Sequence, residues 1–298
     1  MATPTLPLAE TGVPTPAVLK ERALRALGSL PPFSPTLNRL LASLANEEVS
    51  YTKLADLIEK DAVVSGNVLH LVNSALYARR GTVNSVRHAL SLLGINKVRN
   101  AILGMSITRM WNHVRTPADW STASFNMHSV ACAQLSDLLA QKVPVSYPEG
   151  AFIAGLLHDV GRLLIAVGLP NESSRIVERA RQEGCSIAEA ERDLLGFSHE
   201  ALSADALVAW NLPTPIQDAV RDHHLDATPA AGGELPLASL VNAADRYVNS
   251  MGASIVAQQG APVPDPTALA SVGLTYELQR TVLGEFEAEF AATASFYR

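Results

Sequence analysis

Hydrophobic residues recur at helical spacing along most of the chain. One run follows the i, i+3, i+4, i+7 pattern of a buried helix face and comprises Leu37, Leu40, Leu41 and Leu44. Ser34 and Pro35 stand before it, and we expect them to supply the N-cap and the first helical residue. Alternating runs of β-branched residues between turn residues are almost absent from the sequence. The pattern therefore predicts an all-α protein.

Other helix starts are marked by local capping signals. Ser186 followed by Glu189, and Thr214 followed by Gln217, both have the spacing of a capping box, in which two side chains satisfy backbone donors reciprocally. Residues 276–290 carry the pattern of one more amphipathic helix near the C-terminus. We expect each of these segments to be helical.

Breaks in the helical pattern divide the chain into parts. Residues 1–16 hold four prolines and four threonines with little bulky apolar content, which predicts a flexible leader that we place at residues 1–21. The polar segment 112–121 and the Gly-, Pro- and Ala-rich segment 251–266 are weak seams. Most of the candidate chemistry lies between these two seams.

The composition excludes several classes of protein. With 298 residues, of which 48% are hydrophobic, the chain can bury a large core and is not globally disordered. Its formal net charge of −6 argues against nucleic acid as a partner. Two cysteines cannot form a disulfide scaffold and suit a reducing compartment. No signal peptide and no apolar run near ~18 residues is present, so we expect a cytoplasmic protein with no membrane partner.

Five of the eight histidines and two aspartates form a candidate metal site. The series is His128, His158, Asp159, His199, His223, His224 and Asp245. The gaps between successive groups correspond to about one helix plus a connection, so the side chains can converge from different helices of a bundle. Cys132 lies one helical turn after His128, and we interpret it as a small buried side chain rather than a soft ligand.

The surroundings of these residues indicate burial. His158 and Asp159 end a strongly apolar run, and Gly161 then permits a bend or a close approach of the backbone. Asp245 also stands in an apolar stretch. Since unpaired buried charges are costly, these groups need either a divalent cation or a hydrogen-bond network among themselves. Imidazole and carboxylate ligands without thiolate suit Fe, Mn, Zn or Ni.

Several segments resemble the HDOD family, the HD-related output domain of bacterial signalling proteins. The resemblance covers about residues 22–248, and its most specific parts are NSALY at 73–77, ALSLLG at 89–94 and FIAGLLHDVGR at 152–162. It implies a two-lobed helical fold, in which an N-terminal lobe (22–112) packs on a bundle similar to HD phosphohydrolases (113–248). Residues 249–298 then form a C-terminal helical extension.

The metal-dependent relatives of this family use the ligand order H…HD…H…HH…D, and the seven-residue series above matches it position by position. Three departures bear on the metal. The Gly-Tyr-Pro segment of cyclic-dinucleotide phosphodiesterases is missing after His224, Arg162 replaces a lysine, and Ser124 stands where some members place a glutamate for a third metal. The resemblance therefore implies a mononuclear or dinuclear centre.

Two functions follow from the resemblance. The one we favour is a stand-alone regulatory output protein that acts through protein–protein contact and is not an enzyme, with a sensor kinase, a chemoreceptor or a cyclic-dinucleotide enzyme as its partner. The alternative is a metal-dependent phosphohydrolase acting on a nucleotide or cyclic dinucleotide, in which Asp159 bridges the metals and Arg162 neutralises phosphate. A nucleotide could also be bound as a ligand without turnover.

Overall fold

The computed structural model describes residues 14–45, 51–74, 82–225, 233–256 and 261–297. Within these ranges the regular structure consists of sixteen α-helices and four short 3₁₀ turns. The one extended contact there is an isolated bridge between Val145 and Leu235. The prediction of an all-α fold is confirmed.

Six helices precede the first seam: α1 (Pro16–Arg25), α2 (Pro35–Ala42), α3 (Tyr51–Glu59), α4 (Ala62–Val72), α5 (Val86–Leu93) and α6 (Ile95–Trp111). The Oγ of Ser34 accepts the N–H of Leu37 at 3.1 Å, and Pro35 is the first residue of α2, as predicted. The four leucines of the predicted face are all buried. Local capping and periodicity thus fix this helix.

Eight helices follow in the range predicted for the second lobe: α7 (Thr122–Ala140), α8 (Ala151–Leu157), α9 (Val160–Gly168), α10 (Pro170–Glu183), α11 (Ile187–Leu195), α12 (His199–Ala209), α13 (Thr214–Arg221) and α14 (Leu237–Ser250). The capping box of Ser186 and Glu189 is present at the start of α11. The one predicted for Thr214 is wrong, because Pro213 is extended and its carbonyl accepts the N–H of Ile216. Pro213 is therefore the N-cap, and Thr214 lies inside the helix.

The first helix corrects the predicted leader. Helix α1 begins at Pro16, so the expectation of a flexible leader is wrong over residues 16–21, whereas residues 1–13 lie outside the described ranges. Leu19 and Ala23, four residues apart, are buried against α9, α11 and α12. These contacts are with the predicted second lobe. The predicted start of the first lobe, at residue 22, therefore falls inside a helix that packs against the other lobe.

The C-terminal region completes the core with α15 (Thr267–Ala270) and α16 (Tyr276–Thr293). The helix predicted over 276–290 is confirmed. Val282 and Phe286 are fully buried, and α16 packs along α7. One continuous hydrophobic cluster includes residues from the first lobe, the second lobe and α16. The extension is therefore part of the folded core.

Among the residues that the structure describes, one helical segment is long and apolar enough to cross a membrane. It spans Pro148–Gly168, and 89% of its most apolar window is buried inside the protein. Burial of this kind is typical of the core helix of a soluble protein. The segment contains α8 and α9, whose junction carries two of the predicted metal ligands.

Candidate metal centre

All seven predicted ligand residues converge around the carboxylate of Asp159. Five elements supply them: α7 carries His128, the turn between α8 and α9 carries His158 and Asp159, α12 begins at His199, the turn after α13 carries His223 and His224, and α14 carries Asp245. Six of the seven residues are at most 7% exposed, and His224 is the exposed member. We call this set the metal cluster.

His128, His158 and Asp245 form the first group of the metal cluster. The Nε2 atoms of the two histidines are 3.2 Å apart. They lie 3.2 and 3.5 Å from Oδ1 of Asp245, and each is 3.5 Å from Oδ2 of Asp159. Two imidazole nitrogens and two carboxylate oxygens from separate residues thus surround one point.

His199, His223 and His224 form the second group. Nε2 of His199 lies 3.0 Å from Oδ1 of Asp159 and 3.1 Å from Nε2 of His224. Nε2 of His223 is 4.0 Å from the same Oδ1. Asp159 therefore presents one carboxylate oxygen to each group, which is the arrangement expected of a carboxylate that bridges two ions.

Hydrogen bonds on the far side of the rings orient four of the histidines. Each Nδ1 lies against an oxygen: His128 on the carbonyl of Ala253 at 2.8 Å, His158 on Gly155 at 2.8 Å, His223 on Val220 at 2.7 Å, and His199 on the Glu191 carboxylate at 2.6 Å. Because Nδ1 points outward in each case, Nε2 is the ring nitrogen that faces the centre.

The electrostatics of the centre follow from burial and close charges. Burial alone raises the pKa of Asp159, but His158, Arg162 and His199 outweigh it and hold that pKa well below its usual range. Burial alone lowers the pKa of His199, yet Glu191 and Asp159 raise it to about 10. The pocket therefore keeps its carboxylates ionised and favours positive charge beside them.

The residues present fit a divalent metal. Nε2 of His223 is buried and has no hydrogen-bond partner among the described residues. Burial and the neighbouring His224 depress the pKa of His223 well below its usual value, so its ring stays neutral and can act as a ligand. The thiol of Cys132 lies 3.7 Å from Nε2 of His128, but burial raises its pKa well above normal. The candidate ligands are therefore imidazoles and carboxylates, which Fe, Mn, Zn and Ni all accept.

Gly161 lets two helices meet at the centre. A Cβ at this position would lie 2.1 Å from the carbonyl oxygen of His199. The backbone N–H of Gly161 donates to Oγ of Ser203 at 2.8 Å. The close approach suggested by the sequence is present, and it brings the start of α9, with Asp159 before it, against the start of α12.

Two further side chains contact the metal cluster, and of these only Arg162 was predicted. Glu191 is 2% exposed and bonds His199. The available signal was an acid three residues after Ala188 and four before Leu195, on the buried face of α11. Nη1 of Arg162 donates to Oδ2 of Asp159 at 3.2 Å, so the guanidinium lies against the shared carboxylate.

A cleft opens beside the metal cluster. It has a volume of about 500 Å³ and is lined by Asp245, Arg246, Asn249 and Asp265, among others. Nδ2 of Asn249 donates to Oδ1 of Asp245 at 2.7 Å, so the rim of the cleft is hydrogen-bonded directly to a predicted ligand. The cleft at Asp245 and the exposed His224 both bring the cluster next to solvent.

Comparison with known proteins places these features in a family. The HDOD domain model matches residues 30–225. An HDOD domain protein of Geobacter sulfurreducens has the same fold, with a TM-score of 0.74 and 23% identity over 94% of this chain and 98% of its own. A proposed phosphohydrolase of Shewanella amazonensis is also similar, with a TM-score of 0.69 and 20% identity over 93% of this chain and 98% of its own.

A curated relative from Treponema pallidum is 20% identical over 209 residues, which is 66% of this chain. The chain spans 38% of the length of that relative. The family model itself covers more than half of the chain and overlaps both of the lobes predicted from the resemblance, although it ends before α14 and Asp245. The chain belongs to the HDOD family.

Proposed function

We propose that the protein is a signal-transduction output protein that binds two divalent metal ions in the metal cluster and uses them to hold the second lobe in one arrangement. This proposal rests on the burial of the metal cluster inside the protein. Structural metal sites are closed by protein ligands, whereas catalytic sites keep a position open to substrate. Here only His224 is exposed.

The chain's own residues divide between the two ions. The first group with Oδ2 of Asp159 would hold one ion, and the second group with Oδ1 would hold the other. A divalent ion supplies positive charge that pairs buried carboxylates and imidazoles, and in hydrolases it also activates water. The outward Nδ1 bonds set the ring orientation before any ion arrives.

Metal binding would act on the whole second lobe. The ligands come from five elements, and a ligand set that is assembled only in the folded chain converts metal affinity into folding free energy. The relative positions of α7, α12 and α14 would then depend on metal, and so would any surface those helices present. The partner classes we propose are a sensor kinase, a chemoreceptor or a cyclic-dinucleotide enzyme.

A second candidate function is hydrolysis of a nucleotide or cyclic dinucleotide. The cleft beside Asp245 and the exposure of His224 favour it, because both give a phosphoester a route to the cluster. Arg162 uses one N–H on Asp159, so its remaining donors are available for phosphate. Asp159 would then position both ions relative to the scissile group.

Turnover and partner binding separate the two functions. Protein loaded anaerobically with Mn²⁺ or Fe²⁺ is incubated with a panel of nucleotides and cyclic dinucleotides, with Asp159→Asn as the control. We expect no hydrolysis above that control, and tighter binding to one partner class by loaded than by chelator-treated protein. Turnover by the wild-type chain that is lost in Asp159→Asn would overturn the output function in favour of hydrolysis. Equal partner binding by metal-loaded and chelator-treated protein would refute the role of the ions.

A further inference from the structure

A thiol lies next to the first group of the metal cluster. Cys132 is on α7, one turn after His128, and it is fully buried. Its Sγ is 3.7 Å from Nε2 of His128, the nitrogen that faces the centre. The same sulfur lies within 4.8 Å of a ring nitrogen of His158 and of a carboxylate oxygen of Asp245. The sulfur therefore lies among the ligand atoms of this group.

The separations between these atoms are those of ligands that share one ion. Zinc bonds nitrogen at about 2.0–2.1 Å and sulfur at about 2.3 Å, so ligand atoms at tetrahedral angles lie about 3.3–3.6 Å apart. The two imidazole nitrogens are 3.2 Å apart, and they lie 3.2 and 3.5 Å from Oδ1 of Asp245. With the sulfur at 3.7 Å from His128, one ion can contact both side chains with little movement of either.

The backbone around Cys132 is held in place. Residues four apart on an α-helix lie on one face, so His128 and Cys132 approach the centre from the same side of α7. The ring of His128 is held from behind by the carbonyl of Ala253 at 2.8 Å. A Cβ at Gly155 would lie 2.7 Å from the carbonyl oxygen of Cys132. The segment that carries the thiol is therefore packed directly against α8, the helix that leads to His158.

A cation changes the effect of the carboxylates on the thiol. Without an ion, burial raises the pKa of Cys132, and the negative charges of Asp245 and Asp159 raise it further. The thiol then keeps its proton and is the small buried side chain that the sequence predicts. A divalent ion at the same place reverses the local charge, and a thiol that coordinates such an ion is deprotonated. The raised pKa therefore does not oppose ligation.

A thiol ligand would distinguish the two groups of the metal cluster. The first group has Cys132 beside it, whereas His199, His223 and His224 form a group without sulfur. The other cysteine, Cys185, packs against the hydrophobic cluster under α1 and joins no group of candidate ligands among the described residues. Thiolates favour zinc and similar ions, while carboxylates and water suit manganese. Cys132 is therefore placed to affect which metal the first group takes.

We propose that Cys132 is an additional ligand of the first ion, beside His128, His158 and the carboxylates, and that it makes the first group more selective for Zn²⁺ over Mn²⁺. The inference rests on the proposed binding of an ion by the first group, and it names the metal class which that group prefers. On binding, the S–H bond breaks, its electron pair forms the metal–sulfur bond, and the proton leaves to solvent.

Cobalt reports on sulfur ligation directly. A thiolate bound to Co²⁺ gives a strong charge-transfer absorption in the near ultraviolet, which imidazole and carboxylate ligands do not give. The full chain is loaded anaerobically with Co²⁺, its cobalt content is measured by elemental analysis, and its absorption spectrum is recorded. Cys132→Ser and Cys132→Ala each remove the thiol. Cys185→Ser is the matched control, because it removes the half-buried thiol that lies outside the metal cluster.

We expect the wild-type chain and Cys185→Ser to bind two cobalt ions and to show the absorption. Both Cys132 variants should lack it while they still bind cobalt. Competition between Zn²⁺ and Mn²⁺, followed by calorimetry, gives the ratio of the two affinities. This ratio should fall at least ~10-fold in the Cys132 variants, since the loss of an outer partner of a ligand already costs about 10–100-fold. It should not change in Cys185→Ser.

The inference is overturned if the wild-type chain binds two cobalt ions without the absorption, if a folded Cys132 variant keeps it, or if the affinity ratio is the same in all the variants. In these cases metal is still bound, so the proposed function stands. A wild-type chain that binds no cobalt overturns both. Because the chain has two cysteines, absorption that persists in Cys185→Ser assigns the sulfur to Cys132 even if the Cys132 variants fail to fold.

Discussion

The carboxylate of Glu191 accepts two hydrogen bonds from His199, one from Nδ1 at 2.6 Å and one from the backbone N–H at 2.7 Å. The same oxygen, Oε2, takes both bonds. Glu191 therefore fixes the orientation of the ring and also holds the first residue of α12 in place. As a result, Nε2 of His199 faces Oδ1 of Asp159 at 3.0 Å.

Replacing Glu191 should weaken metal binding by the second group of histidines without removing any ligand. In Glu191→Gln both N–H groups of His199 lose their charged acceptor, because one oxygen takes both bonds, and we expect metal affinity to fall by about 10–100-fold. Calorimetric titration with Mn²⁺ or Zn²⁺ measures this. Glu189→Gln is the control, because it lies on the same helix and preserves a capping box, yet does not contact His199. Equal affinities for the two variants would contradict the role of Glu191.

A methyl group at Gly161 should disrupt the junction of α9 and α12. Its Cβ would lie 2.1 Å from the carbonyl of His199, so Gly161→Ala must move backbone and should lower the free energy of unfolding by about 3 kcal/mol. Gly284→Ala in α16 is the control, since its Cβ meets nothing within 4 Å and the change should stabilise by about 0.5–1 kcal/mol. Urea unfolding of both variants gives the comparison, and a neutral effect at Gly161 would contradict the close packing.

The buried carboxyl of Asp137, which lies away from the metal cluster, should make the free energy of unfolding depend on pH. Burial and Glu289 raise its pKa from 3.8 to about 6, so between these values the folded chain binds more protons than the unfolded chain. Stability contributed by this group is therefore present below pH ~4, falls as the pH rises to ~6, and stays low above it. The total loss is at most about 3 kcal/mol.

Asp137→Asn should remove this dependence. The substitution also changes a hydrogen bond, but that effect is the same at every pH. The difference in unfolding free energy between variant and wild type should move in favour of the variant between pH ~4 and pH ~7, by up to about 3 kcal/mol. Urea titrations at the two pH values measure it. A difference that is constant, or that moves the other way, would show that the carboxyl is not destabilised by burial.

Local signals in the sequence predicted much of the fold. Ser34 and Pro35 start α2, and Ser186 with Glu189 starts α11, because capping depends on residues within one turn. The start at Thr214 was misplaced because the extended Pro213 takes the cap position. Helix α1 was missed because its stability comes from packing against the second lobe, which no local pattern reports.

The site shows the same division between local and distant information. The seven ligand residues could be predicted because their order along the chain matches a known ligand order, and the structure brings them together. Glu191 could not be ranked above other acids, since its role depends on α11 lying beside the start of α12.

The metal content of anaerobically purified and reloaded protein distinguishes a dinuclear metal centre from a hydrogen-bond network. Elemental analysis of the wild-type chain should find two divalent ions per chain, and Asp159→Asn, which replaces the shared carboxylate by a neutral amide with a single oxygen, should retain neither at comparable loading. A wild-type chain that binds no more metal than Asp159→Asn would contradict the account, since the clustered imidazoles and carboxylates would then form only a hydrogen-bond network.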